Sequence, residues 1–141
     1  MAPVPDHPFV TEVPTRWLDN DQFGHVNNAV HYQVMDTVIN DWLQAQGFDP
    51  AGDVVDLVPE SGCRYHAEIS YPDRFVVALS VARLGRTSVT WSLELSRASD
   101  GVAVATGHVV HVFVERATRT PVPIGGSLRA AMTSIARSEQ A

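Results

Sequence analysis

The sequence predicts an α+β fold in which an antiparallel sheet of about five strands wraps around one long helix. Apolar residues recur every three or four positions over residues 30–43, which is typical of a helix with one buried face. Apolar and polar residues alternate over 63–71 and over 88–96, which indicates strands with one buried face. Because a single helix cannot bury its own apolar stripe, a sheet that curls around it is the economical arrangement.

The first strand is predicted at residues 9–17, and a proline within it favours a position at the edge of the sheet. The helix is predicted at residues 29–46, about 27 Å at about 1.5 Å per residue, which is long enough to cross a sheet. Asn27 or Asn28 is expected to cap its start, because an asparagine side chain accepts a hydrogen bond from a free backbone N–H there. Gly47 is expected to end it.

The strands after the helix are predicted to be antiparallel and joined by short turns. Residues 75–84 and 102–114 are more uniformly apolar, as expected of inner strands or of an interface with another copy. The predicted turns are Pro72–Asp73, Gly85–Arg86 and Asp100–Gly101. Ser127 is expected to cap a short last helix. The whole chain is predicted to be one domain, with a core at about 9–115 and a C-terminal extension at 116–141.

Composition and charge exclude several classes of protein. The formal net charge is −6 and all 10 cations are arginine, so a nucleic-acid partner is not expected and chemistry that needs a lysine is excluded. The single cysteine, Cys63, rules out a disulfide within the chain. The first residues carry no signal-peptide pattern, and no apolar run approaches the length of a membrane span. We therefore expect no membrane partner and a cytoplasmic location.

The stretch from Asp19 to Asn28 carries most of the chemistry in the sequence. It places two carboxylates, a glycine, a histidine and two asparagines directly before the predicted helix. A helix N-terminus presents free backbone N–H groups and a partial positive charge. A carboxylate beside it therefore provides two parts of an acyl-transfer site: a group that attacks or activates water, and a holder for an oxyanion. The same residues also suit simple turns and a helix cap, and the residues by themselves leave both interpretations open.

The pattern D-x-D-x-x-G-H-V-N-N over residues 19–28 resembles that of the hotdog-fold acyl-CoA thioesterases of the 4-hydroxybenzoyl-CoA thioesterase-like family. Weaker matches follow in the same order along the chain, at 31–32, 63–73, 84–89 and 119–123. The resemblance implies a sheet wrapped around one long helix, which agrees with the fold predicted above. It also implies an enzyme that hydrolyses acyl-CoA to a free acid and CoA, needs no metal or redox cofactor, and has its active site at a dimer interface.

The resemblance implies roles for individual residues. Asp21 matches the catalytic carboxylate, which acts as a nucleophile or as a general base, and backbone N–H groups near Asn27 and Asn28 would polarise the thioester carbonyl. The residues expected to contact the substrate are Gly24, His25, Asn27, Tyr32, Asp36, Arg86 and Ser88. Arg86 and Ser88 lie in a predicted turn, where an exposed arginine suits the phosphates of CoA.

Two other functions stay open at this stage. A hotdog dehydratase or hydratase would act on the same thioesters and needs a histidine near an acidic group, which His25 beside Asp21 allows. A non-catalytic acyl-CoA binding domain is the second alternative. Gln22 and His31 depart from the family pattern, so the acyl chain is open, as is the choice between CoA and an acyl-carrier protein. We expect a homodimer or a homotetramer.

Four further residues have ordinary structural interpretations. Asp19 is expected to organise the loop rather than to react. His108 and His111 are not expected to share a metal ion, since positions three apart on a strand face opposite sides of the sheet. Cys63 is expected to be a small buried apolar residue rather than a nucleophile.

Overall fold

The computed structural model describes residues 8–137, and most of its helices and strands lie where the sequence predicts them. The elements are β1 (Phe9–Pro14), a short 3₁₀ turn (Trp17–Asp19), α1 (Asn28–Ala45), β2 (Val54–Tyr65), β3 (Arg74–Leu84), β4 (Ser88–Arg97), β5 (Ala103–Glu115) and α2 (Gly126–Ser134). All neighbouring strands are antiparallel, and the five-stranded sheet has the order β1-β3-β4-β5-β2. The predicted α+β class, one antiparallel sheet wrapped around a helix, is confirmed.

The long helix α1 packs its apolar stripe against one face of the sheet. The buried members of the stripe are Val34, Met35, Val38, Ile39, Trp42 and Leu43. Asn27 caps the helix, because its side-chain oxygen accepts a hydrogen bond from the N–H of Ala29 at 2.9 Å. Gly47 follows the last turn with φ +96°, a left-handed conformation that favours glycine. Phe75 and Trp91 are fully buried on the facing strands, so the core lies between α1 and the sheet.

The position predicted for the strand at 63–71 is wrong. β2 runs over Val54–Tyr65, so the strand begins nine positions earlier and ends six positions earlier than the alternation indicates. Pro59 lies inside it, and the register shifts between Leu57 and Glu60. Because β2 is an edge strand, a proline without an N–H is tolerated there together with a local irregularity.

The alternation past Tyr65 has a different cause. The N–H groups of His66 and Ala67 both donate to the carbonyl of Val104, after which the chain leaves the sheet. Ile69 is buried, but it packs beside the loop that precedes α1, and its carbonyl accepts a hydrogen bond from the N–H of Val26 at 2.8 Å. The alternation of buried and exposed residues therefore continues to Ile69 although the strand ends at Tyr65.

The apolar sequence of β5 follows from its place between β4 and β2. Val109, His111 and Phe113 face α1 and are buried. The apolar sequence of β5 is therefore explained within one chain and does not by itself indicate an interface, so the oligomer stays a prediction. His108 faces the other side of the sheet, where its Nε2 lies 2.7 Å from Glu60 Oε2. The two histidines thus lie on opposite faces, as predicted.

The last helix is present, but its predicted cap is wrong. Ser127 lies in the first turn, and the capping residue is Gly125, which supplies no side-chain hydrogen bond. Met132 of α2 and Ile135, which follows the helix, are buried. Arg129 secures the start of α2 by donating to two carbonyls of the β3–β4 turn. In the described part of the chain no helix is both long and apolar enough to cross a membrane.

Candidate active site

The loop that joins Asp19 to α1 folds as a tight hairpin. The N–H of Asp21 donates to the carbonyl of His25 at 3.0 Å, and the N–H of Gly24 donates to the carbonyl of Asp21 at 3.0 Å. Gly24 has φ +88°, which a residue with a side chain rarely adopts. The hydroxyl of Ser70 donates to the carbonyl of Gly24 at 2.9 Å and fastens the loop to the segment after β2. The loop therefore presents Asp21 in a defined orientation.

Both oxygens of the Asp21 carboxylate accept a hydrogen bond from the protein. Oδ1 accepts from the backbone N–H of Phe23 at 2.9 Å, and Oδ2 accepts from the side-chain amide of Asn27 at 3.2 Å. Because Asn27 also caps α1, its amide links the carboxylate to the helix start. The carboxylate is half-buried, and each oxygen keeps a further lone pair. It is thus oriented by the protein and still able to meet a substrate or a water molecule.

The start of α1 has one backbone donor without a protein acceptor. The N–H groups of Asn27, Ala29 and Val30 are all used: the first donates to the carbonyl of Asp19, and the other two donate to Asn27, each at 2.9 Å. In the described part of the chain, no acceptor faces the N–H of Asn28. A free N–H at the positive end of a helix is suited to hold an oxyanion.

A cavity of about 220 Å³ opens beside this helix start. Its walls include His25, Asn28, His31, Tyr65, Glu68 and Ile69. Nε2 of His25 lies 3.7 Å from a carboxylate oxygen of Glu68, and its Nδ1 lies 3.3 Å from the carbonyl of Val26. The structure therefore brings together the predicted residues Asp21, Gly24, His25, Asn27 and Asn28 around one loop and one helix start.

Tyr65 is a residue of this site that the sequence analysis missed. Its hydroxyl donates to the carbonyl of Asn28 at 2.7 Å. Burial raises the pKa of Tyr65 to about 12, so the hydroxyl keeps its proton at neutral pH. The buried His31 places Nδ1 3.2 Å from the same carbonyl. The alternation did place Tyr65 on the apolar face, but no sequence signal indicates that β2 ends beside the helix start.

Asp19 is buried and organises the loop. Its Oδ2 accepts from the backbone N–H of Arg16 at 2.8 Å, and its Oδ1 accepts from the guanidinium of Arg16 at 2.7 and 3.0 Å. Its own carbonyl accepts from the N–H of Asn27 at 2.9 Å. These contacts close the 3₁₀ turn and place the helix cap.

Tyr32 and Asp36 line a second cavity of about 250 Å³ between α1 and β2. Val58 and Ser61 complete part of its wall. Both helix residues lie on the same side of α1 as Asn28, at successive intervals of four. Asp36 follows Asn28 by about 12 Å along the axis, at about 1.5 Å per residue. These two predicted residues therefore lie along the helix from the Asp21 loop rather than beside it.

Arg86 and Ser88 lie far from the Asp21 loop in the same chain. Ser88 pairs with Val112 of β5, whereas Tyr65, beside the helix start, pairs with Ala105. These two positions on β5 are about 24 Å apart, at about 3.4 Å per residue. Arg86 is exposed and makes no salt bridge with a residue of the described range. One chain alone does not bring these two predicted residues to the Asp21 loop.

The chain resembles proteins of known structure along most of its length. A family model, the thioesterase-like superfamily, matches residues 15–132. The PA5185 protein of Pseudomonas aeruginosa is 42% identical with a TM-score of 0.88, over 94% of each chain. The PA2801 protein of the same species, a candidate thioesterase, is 31% identical with a TM-score of 0.82, over 86% of this chain and 95% of its own.

A more distant protein shares the fold. A 1,4-dihydroxy-2-naphthoyl-CoA thioesterase from Synechocystis is 19% identical with a TM-score of 0.82, over 90% of this chain and 96% of its own. No curated protein sequence matches the chain significantly.

Proposed function

The chain belongs to the thioesterase-like superfamily and is a thioester hydrolase with the hotdog fold, and we propose that it hydrolyses acyl-CoA through Asp21 and the N–H of Asn28. One observation carries this proposal. The side chain of Asn27 donates to the Asp21 carboxylate and also caps α1. The N–H of the next residue, Asn28, has no acceptor in the described residues. A carboxylate and a free donor therefore lie on either side of one capping residue.

In the proposed reaction the thioester carbonyl oxygen docks on the N–H of Asn28. This donor and the positive end of α1 stabilise the negative charge that develops when the carbonyl carbon is attacked. Asp21 either attacks that carbon, giving a mixed anhydride that water then hydrolyses, or removes a proton from the attacking water. On both routes the C–S bond breaks, the CoA thiolate leaves and takes up a proton, and the free acid is released. The reaction uses no metal or redox cofactor, and CoA enters as part of the substrate.

The test of this function is thiol release from a panel of acyl-CoA thioesters with aliphatic and aromatic acyl groups. We expect at least one member to be hydrolysed with kcat/KM of about 10⁴ M⁻¹s⁻¹ or more. An acyl-carrier-protein thioester of the same acyl group distinguishes the two carriers. Hydration of an enoyl-CoA without thiol release would support a hydratase instead. Thiol release no faster than in buffer, for every member, would contradict the proposal.

We propose that the working unit is a homodimer joined along β2. This strand is an edge of the sheet, and its backbone donors and acceptors on the outer side have no strand partner among residues 8–137. Large apolar side chains on β2 and on the adjoining face of α1 are exposed by 38–49%: Tyr32, Leu57, Val58 and Tyr65. A second copy of the same strand would pair the free edge and cover these side chains.

The charges on β2 suggest a register for this pairing. A two-fold axis at Gly62 sets Glu60 of one copy directly opposite Arg64 of the other, twice per dimer. Both residues are exposed on the same face of the strand, two positions on either side of Gly62. Opposite charges at facing positions of an antiparallel pair stabilise it, whereas like charges destabilise it.

The same register brings a second Arg86 towards the site. It sets Leu57 of the partner subunit level with position 67, just beyond Tyr65. Within each chain, Leu57 of β2 and Ser88 of β4 both pair with Val112 of β5. The partner's Arg86, which precedes Ser88 by two positions, therefore lies level with the start of α1 in the first chain. From β2 of one chain to β4 of the partner subunit the distance across the sheet is about three strand spacings, or about 14 Å. We propose that this arginine meets a phosphate of CoA, at a distance that the pantetheine arm spans.

The dimer is tested by reversing one charge. We expect the wild type to have twice the mass of the 15.4 kDa chain in light scattering at micromolar concentration. Arg64→Glu places Glu opposite Glu60 and should shift the protein towards monomer, whereas the double variant Glu60→Arg/Arg64→Glu should restore the dimer. Arg83→Glu, on an inner strand, is the matched control. A wild-type monomer with full activity would contradict the proposal.

The phosphate contact is tested by Arg86→Ala. We expect KM for acyl-CoA to rise up to about fivefold with kcat little changed, because an exposed ion pair contributes about 1 kcal/mol or less of uniform binding. The effect should shrink at high salt, where exposed charges are screened. It should vanish with an acyl-pantetheine thioester that lacks the nucleotide phosphates. Equal losses on both substrates would instead indicate a structural role for the turn.

A further inference from the structure

The carbonyl oxygen of Asn28 is approached by two side chains from different elements. The hydroxyl of Tyr65, at the end of β2, donates to it at 2.7 Å, and Nδ1 of His31 lies 3.2 Å away. The rings of His31 and Tyr65 meet edge to face at 4.9 Å, and His31 meets Phe75 in the same way at 5.4 Å. Because Phe75 is fully buried, His31 packs against the hydrophobic core, and Tyr65 packs against His31.

Both contacts are made to Asn28, the residue whose N–H has no acceptor in the described chain. The peptide plane that contains this N–H also contains the carbonyl of Asn27, which accepts from Val30 at 2.9 Å. The next peptide plane contains the Asn28 carbonyl, which Tyr65 and His31 hold. With both planes fixed, the direction of the Asn28 N–H is fixed as well. An oxyanion donor contributes to catalysis only while it points at the atom on which charge develops.

We infer that Tyr65 and His31 are positioning residues for thioester hydrolysis, which hold the Asn28 N–H in the orientation that receives the oxyanion. This inference rests on the proposed role of that N–H. Neither side chain needs to touch the reacting atoms.

A purely structural role for the two side chains makes a different prediction. If Tyr65 only fastens β2 to α1, its loss lowers the melting temperature and leaves kcat unchanged in the folded enzyme. The helix start is already capped by Asn27 and tied to Asp19 by a backbone hydrogen bond. Loss of one hydroxyl should therefore affect the orientation of the N–H more than it affects the global fold.

The first test is Tyr65→Phe, which keeps the ring against His31 and removes only the hydroxyl. We expect kcat to fall about 5- to 10-fold, less than the 10²- to 10³-fold that follows outright loss of an oxyanion donor. We expect KM to change less than about twofold, because the donor stabilises the developing oxyanion far more than it stabilises the neutral carbonyl of the bound substrate. The matched control is Tyr71→Phe, since Tyr71 and Tyr65 are each 38% exposed within one chain. The hydroxyl of Tyr71 has no hydrogen-bond partner in the described residues, and kcat should stay unchanged.

The second variant is His31→Phe, which keeps an aromatic ring against Tyr65 and Phe75 and removes the other donor. It should lower kcat in the same way when assayed at a temperature where circular dichroism shows a folded protein. The inference is wrong if both variants change only the melting temperature, or if the loss lies in KM. An active Asp21→Asn enzyme would instead refute the proposed function, so the two failures are distinguishable.

Discussion

Asp21→Asn should lower kcat by at least about 10²-fold, the low end for loss of a general base, and by more if Asp21 is the nucleophile. The substitution keeps the size of the side chain. Its oxygen can still accept from Phe23 or from Asn27, so the loop should keep its shape. KM should change little, because binding of a neutral thioester does not require the negative charge. Steady-state thiol release at saturating substrate measures this directly.

Asp19→Asn is the matched control, two positions away in the same loop. It weakens the contact of the buried carboxylate with Arg16 and should act mainly on stability, with a loss of about 1–3 kcal/mol. Assayed below its melting temperature, it should keep kcat within a few-fold of the wild type. An Asp21→Asn variant with near wild-type kcat and an intact circular dichroism spectrum would remove Asp21 from the proposed mechanism.

The helix and the loop before it were predictable because their signals are local. An apolar stripe at the helical period, an asparagine cap and a terminal glycine specify α1 to within one residue at each end. The hairpin around Gly24 follows from turn residues that lie next to each other in the sequence. A pattern in which every partner lies within ten residues needs no knowledge of the tertiary fold.

Apart from the cap of α2, the errors concern the strands, whose pairing partners are distant in the sequence. The alternation over 63–71 reports burial correctly at Ile69, yet the backbone of Ile69 is hydrogen-bonded to Val26 in the loop before α1 and not to a strand. The true strand β2 contains Pro59, which sequence rules exclude from an inner strand but not from an edge. Only the sheet order shows that β2 is an edge.

The arrangement of the candidate site was predictable in part. The contact between Asp21 and Asn27 spans six positions, and the local pattern implied that they act together. Tyr65 meets the helix start across 37 positions, and no periodic pattern reports such a contact. Arg86 illustrates the opposite case: its residue type suits a phosphate, but its distance from Asp21 within one chain could be judged only from the strand register.

The second large effect is a loss of stability in mild acid. Burial lowers the pKa of His31 and that of His111 below the ordinary value of 6.5. Both side chains are therefore neutral in the folded protein and bind a proton more readily once the chain unfolds. Between the folded pKa and 6.5 the unfolded state holds more protons, so the free energy of unfolding falls as the pH falls. The loss between pH 7 and pH 5 should reach up to about 2 kcal/mol per histidine.

Urea unfolding followed by tryptophan fluorescence at pH 7, 6 and 5 measures this loss. Asp100 contributes in a lower pH window. The hydrogen bond from Arg97 holds the pKa of Asp100 below its ordinary value of 3.8, so its contribution is lost only below about pH 4. The change between pH 7 and pH 5 therefore lies above the window in which Asp100 contributes.

His111 shows why the neutral form is preferred. The indole N–H of Trp91 donates to its Nδ1 at 3.0 Å, and because an indole can only donate, that nitrogen must carry a lone pair. Protonation of Nδ1 would break this buried hydrogen bond. Asp56 on β2, 3.5 Å from the same nitrogen, and Asp36 on α1 favour the charged form, but burial outweighs them and the pKa of His111 is lowered.

His111→Gln isolates the contribution of His111 to the pH dependence of stability. The amide oxygen of glutamine can accept from Trp91, while the side chain cannot titrate, so the hydrogen bond is kept and the proton linkage is lost. We expect the variant to lose less stability than the wild type between pH 7 and pH 5, by up to about 2 kcal/mol, while the share of His31 remains. Parallel curves for the two proteins would show that His111 is not the titrating group. A free energy of unfolding that rises as the pH is lowered would reverse the sign derived from burial and contradict the assignment of both histidines.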